Sequence, residues 1–443
     1  MRFDLIALLR QAFQHGNYLR AIGSGYLLIL ASIAVQIAVV PFYLRAFGQY
    51  QFGVLMILLS LVNFAAIGVA WLGGGALRLF GEYAAKGDGP GFRDAFAWIK
   101  AIYVGYGCVL AMLAGIAAFG FGSRIFTDAP PQDFLAVRMA LLLCGLHMIA
   151  SYSVAADRLA LIARKRQSGA NIAQLLGVLA FGGGVISWIC AGGNMPGVMG
   201  VQIISTLAGG LISKRMIQRE LPGLKTGLPK NHGRQILAKL GGRTGAGFFL
   251  HGILVLALQA DMVLVGWLAG AKAAAEFYLV WKIAEALVQL IWKLPEHMTP
   301  YFIHMDVRSE HTGLGRVVRT GYLLVACVAL LTGILYALFG SHLVAFWVGQ
   351  EQPAPSPAAF ALAGGAIFWL GIARLPMVLA SARVMLSSLN LAGGFELCGK
   401  LAAAVFLFPR FGYLSLLIGI NLAHLLGGSY LYFRLLRVPD KRE

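Results

Sequence analysis

Apolar runs about as long as a membrane span recur along the whole chain. An α-helix needs about 20 consecutive apolar residues to cross the roughly 30 Å hydrocarbon core of a bilayer. The runs lack the alternation of apolar and polar residues that marks transmembrane β-strands. The sequence therefore predicts an all-α polytopic membrane protein with about twelve transmembrane helices. The predicted spans are residues 21–43, 51–73, 101–122, 135–156, 168–191, 197–213, 244–268, 276–303, 320–340, 358–380, 391–408 and 413–433.

The composition excludes a soluble protein. Hydrophobic residues make up 59% of the 443 residues and charged residues only 12%. An ordinary globular chain has about 45–50% apolar and about 25% charged residues. Because a soluble fold of this size could not cover so much apolar surface, the excess must face lipid.

The basic residues are distributed unevenly between the two sets of connecting segments. The set that contains the N-terminus carries 27 Lys and Arg residues, and the opposite set carries 4. Cytoplasmic loops are enriched in Lys and Arg, so both termini are predicted to lie in the cytoplasm. This bias also accounts for most of the formal net charge of +18, and no nucleic-acid partner is expected.

The chain is predicted to contain two halves. The longest hydrophilic stretch lies at the midpoint, with six predicted spans on either side. Gly48 and Gly270 both follow the first span of a half, which indicates duplication of a six-helix unit as parallel repeats. The predicted organisation is a cytoplasmic interfacial helix at 1–20, an N-terminal six-helix lobe at 21–213, a basic cytoplasmic linker at 214–243, a C-terminal six-helix lobe at 244–433 and a cytoplasmic tail at 434–443.

Motifs for catalysis are missing from the sequence. We find no P-loop, no G-x-S-x-G nucleophile elbow and no H-E-x-x-H zinc motif. The chain is therefore predicted to be a transporter and not an enzyme, without a catalytic residue, a bound metal or a cofactor. Coupling to protons or to Na⁺ stays open.

Five polar residues of the eighth predicted span form a charged stripe. At 100° per residue they fall within a sector of about 80° of the helix circumference. Charged groups inside a bilayer are costly, and they usually face a water-filled cavity or one another. The stripe is interpreted as the lining of a transport path. The alternative is two salt bridges that only hold helices together. Its members are Lys282, Glu285, Gln289, Lys293 and Glu296.

Further charges lie inside other predicted spans. Asp261 has no partner on its own helix, so it is a candidate site for a coupling ion; the alternative is an ion pair with a base such as Lys282 or Arg374. Glu396 and Lys400 are spaced i,i+4, which allows either mutual neutralisation or a role in a cavity.

Short motifs occur in both halves of the chain. The first are Pro41–Gly48 (PFYLRAFG), Gln51–Gly53 (QFG) and Arg78 with Gly81–Tyr83 (GEY). They resemble segments of bacterial polysaccharide-biosynthesis flippases. These flippases share a superfamily with multidrug and toxic-compound extruders and with other oligosaccharidyl-lipid and polysaccharide exporters. Later matches are Gln259, Asp261, Gly270, Tyr278, Pro300 and Leu343–Gly349 (LVAFWVG).

The resemblance implies that the chain moves a polyprenyl-diphosphate-linked oligosaccharide from the cytoplasmic to the periplasmic leaflet by alternating access. Such a step serves the synthesis of O-antigen, capsule or exopolysaccharide in the bacterial inner membrane. The bilayer and the lipid-linked oligosaccharide would be its partners, and other polysaccharide-export proteins are candidate partners. The candidate substrate path comprises Lys282, Glu285, Gln289, Lys293, Glu296, Arg374 and the rim residues Arg45 and Arg78. The candidate coupling residues are Asp261, Glu396 and Lys400.

Two other functions are compatible with the sequence. One is a cation-coupled antiporter of drugs or small metabolites from the same superfamily. The other is a membrane polysaccharide polymerase, against which the short outer loops argue.

Overall fold

The regular structure of the protein is helical. The computed structural model describes residues 16–65, 67–121, 131–222, 245–307, 311–349, 355–382 and 386–437, together with Gly233 and Ile236. No strand occurs in these described residues. The predicted all-α class is therefore confirmed. The helices are α1 Gly16–Ala65, α2 Ile67–Lys86, α3 Gly89–Ile116, α4 Phe134–Ala163, α5 Gln167–Cys190, α6 Met195–Glu220, α7 Gly245–Val307, α8 His311–Val348, α9 Pro357–Ala382, α10 Leu386–Phe406, α11 Phe408–Phe411 and α12 Leu414–Arg437.

Ten helices in the described part of the chain are long and apolar enough to cross a membrane. Two of these, Gly23–Asn63 and Asp261–Glu296, have 41 and 36 residues and lie in helices that are divided by a glycine in a non-helical conformation. Each of the two divided helices, α1 and α7, supplies two spans, and the total of about twelve agrees with the sequence. The orientation of the termini stays a prediction.

Gly48 and Gly270 form the two breaks with nearly the same backbone geometry. Gly48 has φ 69° and ψ 174°, and Gly270 has φ 82° and ψ 177°. This region of φ/ψ space is essentially restricted to glycine, because a side chain would clash with the backbone. The predicted spans leave 44–50 and 269–275 as connecting segments, whereas the structure interrupts the helix at a single residue in each place.

The helical chain divides into two compact units. The first comprises Met1–Gly48, Gly68–Ile125 and Ala129–Phe248, and the second comprises Gln49–Ile67, Phe126–Asp128 and Phe249–Glu443. The predicted N-terminal lobe, 21–213, was continuous, whereas residues 49–67 group with the second unit. The order of residues in the sequence does not reveal that residues 49–67 belong to the second unit.

Close packing explains why residues 49–67 belong to the second unit. A methyl group added at Gly53 would overlap the backbone carbonyl of Ala271. The ring of Phe52 meets the ring of Tyr278 edge-on, with centroids 5.5 Å apart. The absence of a side chain at Gly53 therefore allows the second segment of α1 to lie directly against α7.

Small residues also set the helix contacts within the second unit. Helix α8 packs on α9, and α12 packs on both α9 and α10. The backbones of Gly333 and Gly364 face each other across the α8–α9 contact, where any added side chain would overlap a carbonyl. Such small-residue contacts are typical of helices that pack inside membranes.

The described residues cover only part of the predicted interfacial helix, linker and tail. Helix α1 begins at Gly16, and the rest of the predicted interfacial helix 1–20 lies outside the described residues. Helix α6 continues to Glu220, so the first part of the predicted linker 214–243 is helical. Most of the remaining linker lies outside the described residues, as does the predicted tail 434–443 beyond Arg437.

Candidate functional site

The charged stripe of α7 is internally paired. Lys282 Nζ lies 3.0 Å from Glu285 Oε2, and Gln289 Nε2 donates a hydrogen bond of 3.2 Å to Glu285 Oε1. Lys293 Nζ lies 2.6 Å from Glu296 Oε2. All three contacts join residues three or four positions apart, as helical periodicity predicted. The salt bridges of the alternative interpretation are therefore present, and they leave the role of the stripe open.

The stripe lies on the face of α7 opposite its packed face. Ala284, Val288 and Ile291 are buried, with 0%, 2% and 4% of their surface exposed. The side chains of Glu285 and Glu296 keep 34% and 29% of their surface accessible. The stripe is consequently not sealed among apolar side chains.

A second helix adds a cation to the stripe. Arg374 of α9 places Nη2 2.6 Å from Glu296 Oε1, and its guanidinium lies 4.7 Å from the ring centroid of Trp292. The indole N–H of Trp292 donates a hydrogen bond of 2.9 Å to the carbonyl of Leu370. We call Lys293, Glu296, Arg374 and Trp292 the Glu296 cluster. It ties α7 to α9.

The three candidate coupling residues belong to a separate group, which we call the buried ionic cluster: Asp261, Glu396, Lys400 and His424. Lys400 Nζ lies 2.9 Å from Asp261 Oδ2, and these two side chains are only 3% and 4% exposed. His424 Nδ1 lies 3.1 Å from Glu396 Oε1, and both side chains are almost inaccessible. The cluster therefore joins α7, α10 and α12 deep inside the second unit.

The structure contains an ion pair of Asp261 with a base, which is the alternative to a coupling site. The base is Lys400 of α10, whereas the sequence offered Lys282 and Arg374 as examples. Glu396 pairs with His424. The i,i+4 spacing of Glu396 and Lys400 gave no sign of this arrangement, because both partners come from other helices.

His424 is the member that the sequence did not reveal. It is a single histidine on an apolar helix, 28 positions from Glu396, and no local spacing links the two. Within the described residues, His424 Nε2, Asp261 Oδ1 and Glu396 Oε2 are buried without a hydrogen-bond partner. The cluster therefore combines two carboxylates, one ammonium and one imidazole in a sealed part of the second unit.

The two predicted rim arginines lie in the first unit. Arg45 is exposed near the end of the first segment of α1. Arg78 is also exposed, and its Nε lies 3.0 Å from Glu82 Oε1. Their part in a substrate path stays a prediction.

The first unit holds a buried ion pair that the sequence did not indicate. Lys100 Nζ of α3 contacts both carboxylate oxygens of Asp157 of α4, at 2.8 and 3.1 Å. Lys100 directly precedes the predicted span 101–122 and Asp157 directly follows the predicted span 135–156, so the sequence places neither charge inside a span. Helices α3 and α4 extend beyond the predicted spans and include both residues.

No group of three or more His, Cys, Asp and Glu residues that could hold a metal ion occurs in the part of the chain that was described.

Solved transporter structures share this fold. The chain superposes on the inward-facing structure of a multidrug resistance MATE family transporter of the MOP superfamily with a TM-score of 0.75 and 11% identity, over 92% of this chain and 94% of that one. The lipid II flippase MurJ, in an inward closed conformation, gives a TM-score of 0.70 at 10% identity, covering 95% and 88% of the two chains. The eukaryotic MATE transporter AtDTX14 gives 0.62 at 10% identity, covering 97% and 95%.

No family model and no curated protein matches the sequence. At this low identity the structural matches show the fold alone, and it is the fold seen in those transporters.

Proposed function

We propose that this protein is a flippase that moves a polyprenyl-diphosphate-linked oligosaccharide across a bacterial inner membrane, from the cytoplasmic to the periplasmic leaflet. Its product would serve the synthesis of a cell-surface polysaccharide. The proposal combines the sequence resemblance with the fold. It assigns transport, and not catalysis, to the chain.

The accessible charged stripe of α7 is the observation that carries this proposal. A helix that only packs against neighbours or lipid has no need for a row of charges on one face, and each charge is costly to place in a membrane. The row is about one-third exposed at Glu285, Lys293 and Glu296, whereas the face behind it is sealed. This arrangement fits a surface that contacts water or a polar substrate.

The balance of charge fits an anionic headgroup attached to a sugar. Lys282 and Glu285 neutralise each other, while Lys293 and Arg374 share the single carboxylate of Glu296. One positive charge therefore remains at the Glu296 cluster. A diphosphate can bind there, and the paired polar groups elsewhere along the stripe can accept sugar hydroxyls.

The buried ionic cluster is the proposed coupling site. Asp261 and Glu396 supply two carboxylates and Lys400 an ammonium group. His424 adds an imidazole that can take up a proton. Exchange of one proton with each transport cycle would leave the cluster neutral in one state and charged in the other. A proton gradient could then bias the alternation between the two states.

The flippase proposal is tested with the full-length protein in sealed vesicles that contain a lipid-linked oligosaccharide in one leaflet. We expect the protein to expose the sugar to a membrane-impermeant sugar-oxidising reagent added on the opposite side. Vesicles without the protein are the control. If the leaflet distribution does not change, the proposed function is wrong.

A cation-coupled antiporter of drugs or small metabolites is the second candidate. The buried ionic cluster favours it as much as it favours the flippase, because both need a coupling ion. The antiporter predicts substrate-stimulated proton movement that needs no polyprenyl lipid. The same vesicles, loaded with a pH indicator and a cationic drug in place of the lipid, distinguish the two.

A further inference from the structure

Glu296 holds two cations that come from two different helices. Its Oε2 atom lies 2.6 Å from Lys293 Nζ of α7, and its Oε1 atom lies 2.6 Å from Arg374 Nη2 of α9. An ammonium and a guanidinium that converge on one acidic group are also the pair of donors that binds phosphate oxygens. The carboxylate therefore occupies a position suited to an anion of another molecule.

Arg374 has binding capacity that Glu296 does not use. The Nε atom of Arg374 is buried and has no hydrogen-bond partner among the described residues. A carboxylate has only two oxygens, and one of them is already taken by Lys293. A diphosphate offers more oxygens, so it can engage Nε and Nη2 of the same guanidinium while another oxygen binds Lys293.

The cluster is built so that Arg374 can stay in place when Glu296 moves. The guanidinium stacks over Trp292, whose ring is itself fixed by the hydrogen bond to the Leu370 carbonyl. The side chains of Lys293, Glu296 and Arg374 are 31%, 29% and 29% exposed. By contrast, the Asp261–Lys400 pair is sealed at 4% and 3%. Only the first of these groups can exchange partners with a ligand.

The location of the cluster fits an entry site. Along α7, Glu296 lies about 17 Å from the Val307 end and about 39 Å from Gly270, at ~1.5 Å per residue. On the predicted orientation the Val307 end faces the cytoplasm. A substrate that loads from the cytoplasmic leaflet would meet this cluster before it meets Lys282.

We propose that Glu296 is a built-in counter-anion that occupies a phosphate-binding position between Lys293 and Arg374 and is displaced by the diphosphate of the substrate. This inference rests on the proposed function. It makes Glu296 a specificity-determining residue. An anionic headgroup can displace the carboxylate, whereas a neutral lipid cannot. Between transport cycles Glu296 occupies the two cations, so that weakly binding anions do not bind there.

The test measures binding of a short-chain polyprenyl diphosphate sugar to the full-length protein in nanodiscs of phosphatidylcholine. We expect Glu296→Gln to bind the probe about tenfold more tightly than the wild type, because the competing anion is gone and both cations remain. Lys293→Gln and Arg374→Gln should each bind it about tenfold more weakly. Glu220→Gln, which removes a carboxylate paired with Arg166 in the first unit, is the matched control and should leave the affinity unchanged.

A second variant, Glu296→Asp, tests the inference if Glu296→Gln does not fold. Glu296→Asp keeps the charge but shortens the side chain by one methylene, so it cannot reach both cations equally well. Its affinity is expected to lie between those of the wild type and Glu296→Gln. If folded Glu296→Gln or Glu296→Asp binds the probe as weakly as the wild type or more weakly, the carboxylate does not compete with the ligand and the inference is wrong.

Two further binding measurements distinguish a failure of this inference from a failure of the proposed function. A polyprenol sugar without phosphate should not gain affinity in Glu296→Gln; an equal gain would contradict displacement by phosphate. Phosphatidylglycerol in the nanodiscs should compete only weakly, and full competition would assign the site to membrane lipid. If no variant binds the diphosphate probe, the proposed function fails. If the wild type binds it through Arg374 without a gain in Glu296→Gln, only the inference fails.

Discussion

The ammonium of Lys400 lies 2.9 Å from the carboxylate of Asp261, although 139 positions separate the two residues in the sequence. Neither side chain is more than 4% exposed. Each group compensates for the loss of hydration of the other, so neither can be removed alone without leaving an uncompensated charge. The pair joins α7 to α10 inside the second unit.

The Asp261–Lys400 pair gives a stability prediction. We expect Lys400→Met to destabilise the protein by about 3–5 kcal/mol, because Asp261 is then a buried charge without its counter-ion. The double change Asp261→Asn with Lys400→Met should recover most of that loss. Thermal unfolding of the purified protein in detergent measures both effects.

The control for this prediction is an exposed ion pair. Arg166 and Glu220 lie 2.7 Å apart, with 56% and 28% of their side chains exposed. Removal of such a pair usually changes stability by less than about 1 kcal/mol, so Arg166→Ala should have a small effect. A double variant that is as unstable as Lys400→Met alone would contradict the assignment of Lys400 as the counter-ion.

The two glycine breaks give a second prediction. Gly48→Ala and Gly270→Ala should each lower stability by about 1–3 kcal/mol, since alanine is strained at the observed backbone angles. Gly105 lies in α3 with open space around it, and Gly105→Ala should be neutral or slightly stabilising. Melting temperatures of the three variants provide the measurement. If Gly48→Ala and Gly105→Ala behave alike, the break does not depend on glycine.

The charged stripe is tested by the accessibility of introduced cysteines. In a background without the native cysteines, Glu285→Cys, Gln289→Cys and Glu296→Cys should react with a small hydrophilic thiol reagent. Val288→Cys and Ile291→Cys should not react, because those positions are buried on the opposite face of α7. Equal labelling at all five positions, or none at any, would exclude a water-lined stripe.

Neutralising changes in pairs separate a transport role from a purely structural one. Lys282→Gln should reduce transport while folded protein stays near the wild-type level, because the Glu285 carboxylate that loses its partner is 34% exposed and can stay hydrated. Lys282→Gln combined with Glu285→Gln should stay inactive. If the single change depletes folded protein and the double change restores both protein level and transport, the pair only holds the structure together.

The membrane orientation is tested by reporter fusions. The uneven distribution of Lys and Arg predicts that fusions after Lys239 and after Glu443 report the cytoplasm, and that a fusion after Glu351 reports the periplasm. The fluorescence of a cytoplasmic reporter and the activity of a periplasmic enzyme measure the two sides. A reversed result at one of the three positions would contradict the even number of spans.

Local periodicity accounts for the parts of the site that the sequence predicted. The contacts Lys282–Glu285 and Lys293–Glu296 join residues one turn apart, and the helical repeat alone places them on one face. The number of spans could also be predicted from the sequence, because each apolar run must be long enough to cross the bilayer. Both results depend only on neighbouring residues.

Contacts between distant helices explain what the sequence could not reveal. Arg374 meets Glu296, Lys400 meets Asp261 and His424 meets Glu396 because of how α7, α9, α10 and α12 pack. Nothing in the spacing of one helix fixes which neighbour it faces. The sequence also does not predict the single-residue breaks. Without the backbone angles, Gly48 and Gly270 cannot be distinguished from ordinary loop residues.

The packing of residues 49–67 in the second unit has a consequence during translation of the chain. Phe52, Val54 and Leu55 are completely buried, and Gly53 lies against Ala271, which is made about 220 residues later. At ~5–20 residues per second, the interval is roughly 10–45 s. During that interval this segment is already in the nascent chain, but its final neighbours have not yet been translated. A ribosome that pauses before residue 271 lengthens the period in which the segment can associate with the wrong helix.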